Sequence, residues 1–176
     1  IASCPADTIL NNDGENQTAT ASVTDNAGNS AAATSSPAVN IDNTKPTITA
    51  SDAPVANTSG WNRTDVTVTW TCADNLSGIA SCSGSTTITA EGTTTVTGTA
   101  KDMAGNSAFV NVTIKIDRTA PTISGAPITA PNSAGWYNTN VTVAWTCLET
   151  GSGLAGGCPA DSTISTEGTN QTASGT

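Results

Sequence analysis

The cysteines carry the most reactive chemistry in this chain, and their spacing is regular. Cys72 and Cys82 lie ten residues apart, Cys147 and Cys158 eleven. Cys4 aligns with Cys82 and Cys158, which places its own partner upstream of Ile1 and makes the odd count a matter of register. Buried free thiols and metal ligation are the competing uses of such pairs. With no histidine in the chain and two cysteines per pair, a four-ligand zinc site cannot be assembled. Disulfides Cys72–Cys82 and Cys147–Cys158 are the expectation, each worth about 2–3 kcal/mol in the chain-entropy model. They imply an oxidising, extracytoplasmic location.

The aspartates offer a second chemistry. Asp42 and Asp117 occupy equivalent positions 75 residues apart, and Asp74 and Asp102 sit on loops beside Asn75 and near Asn106. Clustered carboxylate oxygens can coordinate calcium, so these four are the candidate metal ligands. The plainer alternative is that a loop Asp, including Asp25, bonds the backbone of its own turn. No EF-hand pattern is present, no cofactor is required, and calcium is the one ion considered. Asn-x-Ser/Thr sequons occur at Asn16, Asn57, Asn62, Asn75, Asn111, Asn140 and Asn170 and are candidate glycosylation sites.

Catalysis finds little support. A nucleophilic triad lacks its base because there is no histidine. The acids are dispersed over turns instead of paired, and no phosphate-binding glycine loop opens a helix. We expect a non-enzyme. A net charge of −9 removes any basic surface for nucleic acid or anionic lipid. No apolar run approaches the roughly 18 residues that cross a bilayer, and no signal peptide is visible at Ile1-Ala2-Ser3-Cys4.

The elements that must position these residues recur with a period of about 75. Asp42-Asn43-Thr44-Lys45-Pro46 returns as Asp117-Arg118-Thr119-Ala120-Pro121, and Val66 to Cys72 returns as Val141 to Cys147. Asp25-Asn26-Ala27-Gly28-Asn29 returns as Asp102-Met103-Ala104-Gly105-Asn106. The division expected is therefore 1–42 as the closing part of one module, 43–117 as a complete module and 118–176 as the opening part of the next. Within the complete module, Val66, Val68, Trp70 and Cys72 alternate with Thr67, Thr69 and Thr71, as a half-buried strand requires. Pro46–Ser51, Thr86–Ala90, Thr93–Lys101 and Ala108–Ile116 read as further strands, the last with Val110, Val112, Ile114 and Ile116 inward. Ala73–Ser81 reads as the loop that the disulfide closes. Short strands with frequent turns and no helical period predict an all-β, two-sheet antiparallel sandwich.

The Asp-x-Thr-x-Pro joint, the Asp74-Asn75-Leu76-Ser77-Gly78-Ile79 loop and the Asp-x-Ala-Gly-Asn turn resemble those of bacterial immunoglobulin-like repeats. The resemblance implies tandem immunoglobulin-like modules of a large prokaryotic surface protein or adhesin. On that basis the chain is expected to be a structural stalk or filament segment at the cell surface. Its expected partners are other modules or copies of the same protein, with glycans as a further partner. The alternative is an adhesin module that recognises a glycan or a host protein through its loops. Trp70 and Trp145 are expected in the core, while Trp61 and Trp136, after glycines, are expected as lids instead of sugar platforms. Alternating threonines are read as solvent-facing strand residues and not as an ice-binding array. Residues 1–22 align with 155–176, which suggests a window on a longer polypeptide in preference to copies completing each other end to end.

Overall fold

The computed structural model describes residues 4–175. Its regular structure there is all strand, in five small sheets. Strands β1 (Gly14–Gln17) and β4 (Val39–Ile41) pair, as do β2 (Thr20–Thr24) and β3 (Ser30–Thr34). Strands β5 (Thr47–Ala53), β6 (Val66–Ala73) and β8 (Thr86–Ile88) form one three-stranded antiparallel sheet. Strands β7 (Ile79–Cys82), β9 (Gly92–Asp102) and β10 (Ser107–Ile116) form another, in the order β10-β9-β7. Strands β11 (Thr122–Pro127), β12 (Val141–Leu148) and β13 (Ser162–Ile164) form the last.

The chain packs as two compact units. One holds residues up to Val55 with Asp65–Thr89 and Thr93–Ile114, and the other holds Ala56–Thr64, Ala90–Gly92 and Lys115 onward. In the first unit the alternation of β6 is realised: Val66, Val68 and Trp70 are buried, and Thr69 and Thr71 are exposed. Ile88, Ala100 and Ile114 complete that core. Sheets β5-β6-β8 and β10-β9-β7 face each other there, because a Cβ on Gly98 of β9 would collide with the ring of Trp70 on β6. The Cys72–Cys82 disulfide joins β6 to β7 and so staples one sheet to the other. Facing antiparallel sheets with a shared apolar interior are the essentials of a β-sandwich.

Strand β7 lies in the segment expected to be loop. Only Ile79–Cys82 is extended, and its partners on β9 are Asp102, Lys101 and Ala100, about twenty residues on. A pairing that depends on a remote strand leaves no local periodicity in four residues. The outer faces are tied by hydroxyls: Thr67 Oγ1 meets Thr87 Oγ1 at 3.0 Å, and Thr95 Oγ1 meets Thr113 Oγ1 at 3.0 Å. This is ordinary cross-strand pairing on a solvated face.

In the second unit β11 and β12 keep the register of β5 and β6. Thr122 pairs with Leu148 and Pro127 with Val143, each residue 75 beyond its counterpart in the pairs Thr47–Ala73 and Asp52–Val68. Val143 and Ile116 are buried in this unit, while Trp145 is half-buried with its indole donating to Ser162 Oγ at 3.0 Å. A Cβ on Gly175 would lie 2.9 Å from that indole, so a glycine again makes room for a strand tryptophan.

Candidate functional site

Three of the four predicted calcium ligands meet. Asp42 precedes the first Asp-x-Thr-x-Pro proline by four residues, Asp74 follows β6, and Asp102 ends β9, yet one carboxylate oxygen from each lies within 4.8 Å of the others. Asp102 is 1% exposed, and the other two are half-buried. Asp117 is not among them. It lies at the second such segment, where Ser152 N–H donates to its Oδ2 at 2.6 Å and Thr119 N–H to its Oδ1 at 3.0 Å. Among the described residues no second group of three joins it.

Each carboxylate of the group is also a hydrogen-bond acceptor. Asp102 Oδ1 takes the N–H groups of Gly105 (2.7 Å) and Asn106 (2.8 Å), and its Oδ2 takes Asn106 Nδ2 (2.9 Å). Asp74 Oδ2 accepts from Leu76 and Gly78, and Asp42 accepts from Thr44 and Ser77. Asn106 ties the group together, its Nδ2 also reaching the carbonyls of Asp42 (3.0 Å) and Thr44 (3.2 Å). The turn-capping role expected as the alternative is therefore present in full. Gly105 at φ 104° and Gly28 at φ 91° supply the left-handed residue that each Asp-x-Ala-Gly-Asn hairpin needs. As a donor set, three hard anionic oxygens suit calcium chemically, but calcium takes six to eight oxygens, so others would have to come from backbone or water.

Each Asp-x-Thr-x-Pro segment is met by a further acid from the preceding chain. Asp13 accepts from Asn43 N (2.8 Å), Asn43 Nδ2 (2.9 Å) and Thr44 Oγ1 (2.6 Å). Glu91 accepts from Arg118 N (2.8 Å) and Thr119 Oγ1 (3.1 Å). Neither residue was singled out from the sequence. The available signal was an acid-glycine dipeptide that recurs as Asp13-Gly14, Glu91-Gly92 and Glu167-Gly168.

These bonds lower several carboxyl pKa values below the ordinary 3.8. Thr44 and then Asn43 lower Asp13, and Asn29 lowers Asp25. Burial pushes Asp102 up, but the bonds from Asn106, Gly105 and Ala104 together outweigh it. Ser152 lowers Asp117 first, with help from Thr119. A depressed folded-state pKa contributes stability that is complete above the unfolded value and is lost as pH falls through the folded one. The thermal midpoint is therefore expected to hold from about pH 7 to about pH 5 and to drop below about pH 4. A midpoint that rises on acidification through that window would contradict the assignment.

The remaining predicted residues are placed as follows. Cys72–Cys82 and Cys147–Cys158 are bonded, and Cys4 is unpaired and exposed. Two disulfides suit an oxidising compartment. Asn16, Asn57, Asn75, Asn111, Asn140 and Asn170 are exposed. Asn62 is 7% exposed, and its backbone is held between Lys115 O (2.9 Å) and Asp117 N (2.8 Å) in a bridge to β10. Trp61 is half-buried with Lys115 Nζ 5.7 Å from its ring centroid. Trp136, expected to be a lid as well, is 55% exposed. Trp136, Tyr137, Trp145 and Ile164 instead line an open groove beside β12.

No protein-family model, curated protein or solved structure matches the chain. Among the described residues no helix is long and apolar enough to cross a membrane.

Proposed function

We propose that this chain is a structural, non-catalytic segment of a tandem immunoglobulin-like β-sandwich array, forming a stalk or filament at a prokaryotic cell surface. The observation that carries the reading is the recurrence of one hydrogen-bond pattern at both Asp-x-Thr-x-Pro segments. At each, an acid from the preceding chain accepts from the second and third residues of the segment (Asp13 at Asn43 and Thr44, Glu91 at Arg118 and Thr119). At each, the leading Asp accepts from the Thr N–H and from a serine N–H 35 residues on. Chemistry devoted to repeated connections suits a mechanical role. Array partners would be further modules or copies of the same protein. Calcium at Asp42, Asp74 and Asp102 would stiffen such an array without being needed for its fold.

Negative-stain images of the native polypeptide test the proposal. Thin beaded fibres are expected, and isolated globules would contradict it. A second reading is recognition of a glycan or a partner protein by an adhesin module through its loops, and an adhesin would appear as compact particles instead of a fibre.

A further inference from the structure

We propose that each Asp-x-Thr-x-Pro segment is a latched hinge, closed by two carboxylates that grip it from opposite directions along the chain. The inference deepens the array reading by naming what would limit bending in it, and rests on that reading only for its purpose. The first latch lies wholly within one compact unit, and so does the second. In the first, Asp13 comes from upstream of β1 and holds the middle of the segment by three bonds of 2.6–2.9 Å to Asn43 and Thr44. Asp42, the segment's own first residue, spans forward to Ser77 N at 3.1 Å, and Asn106 Nδ2 closes on the carbonyls of Asp42 and Thr44. Pro46 is buried directly after, and its ring removes the freedom of φ at the exit.

In the second latch the acid differs in length and the grip does not. Glu91 stands where Asp13 stood, 78 residues on, and still reaches the N–H of the second residue and the hydroxyl of the Thr. Asp117 repeats the forward bond, to Ser152. A Cβ on Gly151 would run into the Asp117 carboxylate, so the approach of the 149–153 loop depends on that glycine. Two side chains of different length converge on the same donors, so the contact, more than the residue, is what the geometry maintains. Charged acceptors make the stronger hydrogen bonds, and Thr44 draws Asp13 toward its anionic form. Without these acceptors the three residues between the leading Asp and the proline lose bonds that select their φ/ψ settings.

Backbone residual dipolar couplings on the full chain, measured in EDTA so that no ion substitutes for a latch, test the proposal. In the unaltered chain, couplings from β1 to β4 and from β5, β6 and β8 are expected to fit one alignment tensor. In Asp13→Ala they are expected to need two, with amide exchange at Thr44 and Ser77 at least tenfold faster and that at Val66–Trp70 unchanged. Asp7→Asn, an exposed acid upstream, should behave as the unaltered chain. If Asp13→Ala disturbs β6 itself, Asp13→Asn and Thr44→Val remove fewer donors and acceptors and should still separate the tensors. A common tensor in all three folded variants, or two tensors in the unaltered chain, overturns the latch. Neither result touches the array reading, which stands or falls on the images of the native polypeptide.

Discussion

Replacing Trp70 by alanine is expected to lower the stability of the first unit by about 3–5 kcal/mol, as truncation of a buried aromatic does. Trp70 is 7% exposed on β6 and fills the space between two sheets, opposite a glycine on β9. In a module with so few large apolar groups no neighbour can close the cavity. The companion change is Gly98→Ala, which puts a methyl where the indole now lies. Overpacking of this kind costs about 1–3 kcal/mol. The two effects should not add: with the Trp70 ring gone, the added methyl occupies vacated space and its cost should largely disappear. Because the chain has two units, the readout should be local, from amide exchange in β6 instead of a single global transition. Additive losses would mean that the ring and the glycine are not in contact.

Removing the Cys72–Cys82 bond by a double change to serine is the second large effect. The two cysteines are separated by ten residues, for which the chain-entropy model predicts about 2–3 kcal/mol. This bond also joins strands of different sheets, so its loss should speed exchange in β7, a strand of only four residues. Cys4→Ser is the control. That residue is exposed and unpaired, and its replacement should leave stability unchanged. Equal losses for Cys4→Ser and the double change would show that the bond does not form in the molecule.

Much of the fold was legible in residue order. The Val66-x-Val68-x-Trp70-x-Cys72 alternation predicted β6, its buried face and its solvent-facing threonines, because period two is the only pattern that gives one strand two environments. The Asp-x-Ala-Gly-Asn turns were legible because their chemistry is local: an Asp caps the following amides and a glycine takes the positive φ. The cysteine pairs followed from their regular spacing together with the lack of histidine, which removed a zinc site as the competing use. Strand β7 was not legible, and neither was the glycine beneath Trp70, since both depend on β9. The exposure of Trp136 was misread for a related reason. Lys115 Nζ lies 5.7 Å from the Trp61 ring although more than fifty residues separate the two, and local sequence cannot show whether such a neighbour exists.

The candidate site divides the same way. Asp42, Asp74, Asp102 and Asp117 were all singled out, but sequence treated them as four equivalents. Tertiary structure gathered the first three within 4.8 Å and gave Asp117 to a different connection. It also drew in Asp13 and Glu91, acids in plain acid-glycine pairs, whose donors lie 27 to 31 residues away. By itself, then, the sequence determined strand β6 with its buried face, the Asp-x-Ala-Gly-Asn turns and the cysteine pairs, all set by nearest-neighbour sterics, side-chain alternation and short loop closure. Only the tertiary structure decided which acids share a space and which residues hold the connecting segments. Those choices depend on hydrogen bonds between residues that lie 27 to 64 positions apart in the chain and that only folding brings together.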